Sequence, residues 1–135
     1  MTLPLYLVES AGQPRNHHAL FVCVEQKEES GWLFNVTGNI QSGMTYEEKS
    51  AEAPRQSLTF ESMSVLGRVP SSSLQQISSI CRSNPPPEKQ FDGPKRIDSK
   101  KPLRRCQEWT AETIQLLEQE GLLQRDGEQR GSVPS

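Results

Sequence analysis

Three cysteines and two histidines are the residues of this 135-residue chain with most capacity for chemistry. Cys106 follows Arg104 and Arg105 and opens a segment whose Cys106, Trp109, Thr113, Leu116 and Leu117 fall on one helical stripe. Backbone N–H groups, the helix dipole and neighbouring cations all favour an anion at a helix start. They lower a thiol pKa and raise the thiolate fraction at neutral pH. Cys23 lies inside an apolar run and Cys81 closes an apolar stripe, so both read as small buried hydrophobes. The plainer reading of Cys106 is the same, a core-facing cysteine on an amphipathic helix.

His17 and His18 are adjacent where a loop enters a strand. Strand neighbours point to opposite faces, so only one of the two imidazoles faces a given site. One strand cannot aim both at a single ion, and the chain has no Cys-x-x-Cys or His-Glu-x-x-His. No metal and no cofactor is therefore expected. Asn35 is the polar exception in Trp32–Val36. If that strand pairs antiparallel with Ala19–Val24, Asn35 lies beside the histidine end. An amide there accepts from an imidazole N–H and fixes its tautomer, the third role of a Cys–His–polar arrangement. The plainer readings are surface histidines and a polar residue on a solvated sheet face. Glu108, two positions along the helix from Cys106, is expected to point elsewhere.

The elements that must position these groups follow from periodicity. Leu3, Leu5 and Leu7 alternate, which predicts a first strand within Leu3–Val8. Ala19–Val24 reads as a strand buried on both faces, followed by a charged loop, Glu25–Gly31, and a returning strand, Trp32–Thr37. Met44–Lys49 and Leu58–Val69 supply a third and a fourth strand, the last broken at Gly67. Leu74, Ile77, Ile80 and Cys81 behind Ser71–Ser73 predict a short helix, stopped by Pro85–Pro87. Phe91–Pro94 is a turn. Lys95–Arg105 carries Lys95, Arg96, Lys100, Lys101, Arg104 and Arg105 against Asp98, and reads as a solvated loop. Gly121 suits the end of the Cys106 helix. Strands first and helices after give an α+β domain over residues 1–123: a small antiparallel sheet packed against a C-terminal helix carrying the cysteine. Residues 124–135 read as a disordered polar tail.

Composition narrows the function. Apolar residues are 33%, aromatics 6%, and there are 10 prolines, so the core draws on part of the chain only. A net charge of −2 excludes a generally basic nucleic-acid binder, and no apolar run approaches a membrane span. Gly38–Gly43 lacks the Lys-Ser/Thr and helix of a phosphate loop. The N-terminus does not read as a signal peptide, and an odd, sparse cysteine count does not read as a disulfide framework. A cytoplasmic protein with reduced thiols is expected.

His17-His18-Ala19-Leu20-Phe21-Val22 on one strand, Leu33-Phe34-Asn35-Val36-Thr37-Gly38 on the next and Arg105-Cys106-Gln107-Glu108-Trp109 on a late helix together carry a resemblance. The pattern resembles the circularly permuted papain-like superfamily, which includes cell-wall peptidases, lecithin–retinol acyltransferase-like enzymes and de-SUMOylating peptidases. By that resemblance Cys106 is the nucleophile, His17 the base, Asn35 the orienting residue and Trp109 the aromatic that packs the helix on the sheet. His18 occupies the place of a family aromatic and takes the base role if the register shifts by one; Arg105 stands where Asn often precedes the cysteine. The resemblance implies a permuted papain-like fold and a thiol-dependent hydrolase or acyltransferase. Its substrate is an amide, isopeptide, thioester or ester, with an acidic peptide or acyl partner suggested by the basic stretch. The alternative is an inactive member of the fold that binds a protein or small molecule.

Overall fold

The structure, a computed structural model, describes residues 1–13 and 15–125. Period-two alternation builds β1 (Thr2–Ser10), β2 (His17–Glu25), β3 (Ser30–Asn39), β4 (Gly43–Glu52) and β5 (Phe60–Pro70). Helix α1 (Leu74–Ser83), a two-plus-two-residue hairpin β6 (Phe91–Asp92) and β7 (Lys95–Arg96), helix α2 (Cys106–Gln119) and β8 (Gln124–Arg125) follow. The main sheet is antiparallel, in the order β4-β3-β2-β1-β5-β8. The α+β expectation is met: strands come first, and one helix near the C-terminus begins at the cysteine. No helix among the described residues is long and apolar enough to cross a membrane.

Register sorts the apolar side chains. Leu5 opposes Val22 and Leu20 opposes Phe34, so these four share one face. With Val36, Ile77 and Cys81 of α1, and Cys106, Trp109 and Leu117 of α2, they form the main core. The odd-numbered Phe21 and Cys23 join Val8 in a second cluster edged by Tyr6, Leu33 and Phe60. Both clusters draw on β2, and Ala19–Cys23 is buried throughout. Val24 departs from the expected buried run: it is 44% exposed, at the register shift between Cys23 and Glu25 near the end of the strand.

Trp109 fixes α2. It is fully buried, its ring centroid lies 5.9 Å from that of Tyr46, and its Nε1 donates to the carbonyl of Asn84 at 2.9 Å. Asn84, which ends α1, donates in turn to Thr113 Oγ1 at 3.0 Å. The start of α2 is thus set by its own middle, locked to the end of α1. The proline segment is tied down as well, with Met44 N–H donating to Pro87 and Gln90 N–H to Ile40, each at 2.8 Å.

Several expectations need correction. The charged loop is shorter than Glu25–Gly31, because Gly31 pairs within β3 opposite Cys23. The fourth strand is not broken at Gly67. Leu5 opposes Gly67 and Tyr6 opposes Val65, leaving Leu66 as a bulge inside a continuous strand. A Cβ at Gly67 would stand 2.1 Å from the Gln124 carbonyl oxygen, so glycine there admits the close passage of β8. That pairing gives structure to Gln124 and Arg125 at the start of the expected tail; residues 126–135 lie outside the described residues. The basic stretch is not uniformly a solvated loop. The Arg104 guanidinium binds Glu112 at 2.7 Å, Asn84 Oδ1 at 3.0 Å and the Pro85 carbonyl at 2.7 Å. The Gln90 side chain clasps the Arg104 backbone on both sides.

Candidate active site

The helix that carries Cys106 begins without an ordinary cap. Its N-cap is Arg105, whose side chain has no acceptor atom. Glu108 compensates: its Oε1 accepts the Arg105 backbone N–H at 2.7 Å, the reverse half of a capping box. Both oxygens of the same carboxylate also accept from Arg15 Nη2, at 3.2 Å each. Burial raises the Glu108 pKa, but the N–H groups of Arg105 and Glu108 and the Arg15 cation outweigh it and hold it below the usual value. Glu108 therefore points away from the thiol, as expected, yet fixes the helix start and places Arg15 near the sulfur. A Glu three residues after a cap position is a recognisable signal, obscured here because Arg replaces Ser or Thr.

Cys106, the first residue of α2, is 6% exposed and meets the imidazole of His17 and the backbone N–H of His18. On the far side of the ring, His17 Nε2 lies 2.9 Å from Asn35 Oδ1. The direction of that bond is set by the other end of the amide. Asn35 Nδ2 lies 3.3 Å from the Glu47 carbonyl and 3.2 Å from Glu47 Oε1, both acceptors only. Oδ1 must then accept, so Nε2 carries the proton and Nδ1 is the nitrogen not engaged by Asn35.

The two titrating groups support one another. For His17 the hydrogen bond with Cys106 is the largest influence and raises the pKa; burial lowers it, and Asn35 and the Glu47 charge add to the rise. For Cys106 burial is the largest single influence and raises the pKa. The His17 hydrogen bond and charge, the His18 N–H and Arg15 together bring it below the ordinary value. Each group thus favours the charged form of the other. The remaining thiols behave oppositely. Burial pushes Cys81 up to about 12, and burial with Glu29 and Glu25 raises Cys23. All three cysteines are free.

His17, Asn35 and Cys106 are therefore brought together, and His18 is not part of the group: its Nε2 lies 3.7 Å from Glu9. Arg15, Glu47 and Gln107 were not legible as neighbours of the site. Arg15 sits in an irregular loop, and Glu47 is reached only through the register that sets it opposite Asn35. Gln107 holds the same loop by donating from Nε2 to the Asn16 carbonyl, while its Oε1 is buried with no partner among the described residues.

A cleft of about 270 Å³ opens beside the thiol, with Arg15, His17, Arg105 and Gln107 on its walls and the Gly38–Gln41 turn opposite. A larger cavity of about 350 Å³, between Pro85, Pro86, Ile97, Pro102 and Leu103, contains neither histidine nor cysteine. Among the described residues, no group of three or more His, Cys, Asp or Glu is placed to hold a metal ion.

Asn35→Ala leaves the His17 Nε2–H without its acceptor, at a cost of about 1–3 kcal/mol for a buried donor. Because Asn35 raises the His17 pKa, the variant should lower it and weaken the imidazolium. Alkylation of Cys106 at neutral pH is expected to slow roughly tenfold. A pH titration of the His17 ring by NMR reads the shift directly; an unmoved titration would show that Asn35 does not orient the ring.

No curated protein and no solved structure matches the chain. A sequence model of DUF6540, a family of unknown function, matches residues 5–124, which span His17, Asn35 and Cys106, and the chain belongs to that family.

Proposed function

We propose that the protein is a thiol-dependent hydrolase or acyltransferase of the permuted papain-like kind, acting on an amide, isopeptide, thioester or ester. The observation that carries this reading is that His17 and Cys106 line one cleft and each favours the charged form of the other, while Asn35 holds the His17 ring through Nε2. Nucleophile, base and orienting group in contact are the constellation of nucleophilic acyl transfer. The order of histidine strand, polar strand and cysteine helix is also the order the resemblance implied.

In this mechanism the Cys106 sulfur attacks the carbonyl carbon and forms a C–S bond. The carbonyl electrons move to oxygen, where the backbone N–H of Cys106, the first of α2, stands without an intrahelical partner. One such donor is worth roughly 10²–10³ in rate. As the oxyanion collapses, the bond to the leaving group breaks and His17 Nδ1 delivers its proton to that group. Water or another acceptor then gives a proton to Nδ1 and attacks the thioester, which releases the acyl product and restores the thiolate.

The test is a panel of activated esters, thioesters and amides read by intact-protein mass spectrometry. An acyl increment on the wild-type chain that is absent from Cys106→Ala supports the reading. The near-complete burial of Cys106 favours a second reading, an inactive fold that binds its ligand in the same cleft. Reversible binding with no acyl increment from any class of acyl donor would decide for that reading.

The pH dependence has a definite sign. The Cys106 pKa is lowered, so the thiolate persists below the ordinary thiol range of about 8.5. The His17 pKa is raised, so the imidazolium persists above its ordinary 6.5. The rate of acylation is expected to rise with pH through the lowered thiol pKa and to fall as the imidazolium is lost. A profile that instead rises monotonically with a midpoint at or above 8.5 would contradict the ion pair.

A further inference from the structure

The cleft beside Cys106 has a charge that the chain as a whole does not. The protein carries 17 acidic residues and a net charge of −2, yet no Asp or Glu lines this cleft. Its ionisable walls are Arg15, His17, Arg105 and the thiol, and its polar walls are the side-chain amides of Gln13, Asn39, Gln41 and Gln107.

The nearby carboxylates are already engaged. Glu47 is bound by the Asn35 amide and lies 3.7 Å from Lys49 Nζ. Glu108 is spent on the Arg105 backbone N–H and on Arg15. The Arg105 guanidinium has no carboxylate partner among the described residues. Arg15 is 45% exposed and has only one side occupied by Glu108. The cleft thus has two arginines and no carboxylate on its walls, and the Arg105 guanidinium is not engaged by a carboxylate, an arrangement complementary to a carboxylate on the ligand.

We propose that the cleft takes an acyl substrate bearing a carboxylate close to the carbonyl that Cys106 attacks, with Arg105 as its principal receptor and Arg15 as a secondary one. This rests on the nucleophilic role of Cys106 proposed above. The carboxylate orients the carbonyl over the sulfur, and its negative charge is neutralised by the cations at the mouth.

Iodoacetate and iodoacetamide probe this directly, since they deliver a charged and a neutral group to the same sulfur. In both, the thiolate forms an S–C bond and iodide leaves with the C–I electron pair. The rate ratio of iodoacetate to iodoacetamide at Cys106, followed by peptide mass spectrometry, is compared with the ratio for N-acetylcysteine. The expected ratio is about tenfold higher at Cys106, the effect of one charge-assisted contact. Arg105→Gln should remove most of the excess, and Arg105→Lys should keep part of it, since charge remains without the planar fork. Rapid reaction with iodoacetamide but no excess for iodoacetate overturns the carboxylate site and leaves the thiolate reading standing. An excess that survives Arg105→Gln overturns the role of Arg105. Slow reaction with both reagents overturns the reading on which the site rests.

Discussion

His17→Ala is expected to slow alkylation of Cys106 at neutral pH by about 10²-fold or more, the lower end of what a positioned acid–base group supplies. The argument is electrostatic. Burial alone pushes the Cys106 thiol up; the hydrogen bond and charge of His17 are the largest influences bringing it down. With the imidazole gone, burial is opposed only by the His18 N–H and Arg15, and the thiol pKa rises. The fold should survive, because His17 belongs to neither apolar cluster. Thiolate absorbance against pH measures the shift, and an unchanged denaturation curve shows that the loss is local. Should His18→Ala produce the effect while His17→Ala does not, the base is the other imidazole and the hydrogen bond to Asn35 is incidental.

Trp109→Ala should have the largest effect on stability, about 3–5 kcal/mol, in the range for removing a buried aromatic. The side chain is fully enclosed between the sheet and the end of α1. Its loss opens a cavity, separates α2 from Tyr46 and leaves the Asn84 carbonyl without its donor. A domain of this size has about 5–15 kcal/mol in total, so the loss removes a large share of its stability. Trp109→Phe keeps most of the volume but loses the N–H and part of the ring, so it should cost less, about 1–3 kcal/mol. Urea denaturation measures both. A cost below about 1 kcal/mol for the alanine variant would show that α2 is not anchored through this residue.

The difference between these variants explains what the residue pattern made legible. Ala19–Val24 and Trp32–Val36 are read correctly as paired strands because both clusters take side chains from β2, which gives a continuous apolar run. The Cys106 helix is legible because its stripe is regular. Once those elements pair, His17, Asn35 and Cys106 are near each other almost by necessity, and the distinction between His17 and His18 follows from which ring reaches Asn35.

What was not legible depends on contacts between distant residues. Glu108 caps the helix because Arg105 cannot, and it reaches Arg15 across 93 positions of sequence. Arg104 is withdrawn from the basic stretch by Glu112, Asn84 and Gln90, none of which shows in local composition. Gly67 resembles a strand breaker but serves the approach of β8, a two-residue strand too short for any periodic signal.

The most direct measurement is site-resolved alkylation of the native protein by iodoacetamide across a pH series, with peptide mass spectrometry reporting each cysteine separately. The expected result is that Cys106 reacts far faster than Cys23 or Cys81 at neutral pH, with an apparent pKa below the ~8.5 of a free thiol. Cys81, pushed up to about 12, should remain unlabelled until the fold is opened. Three slow cysteines with ordinary or raised pKa values in the folded protein would contradict the claim that His17 and the start of α2 hold Cys106 as a nucleophile.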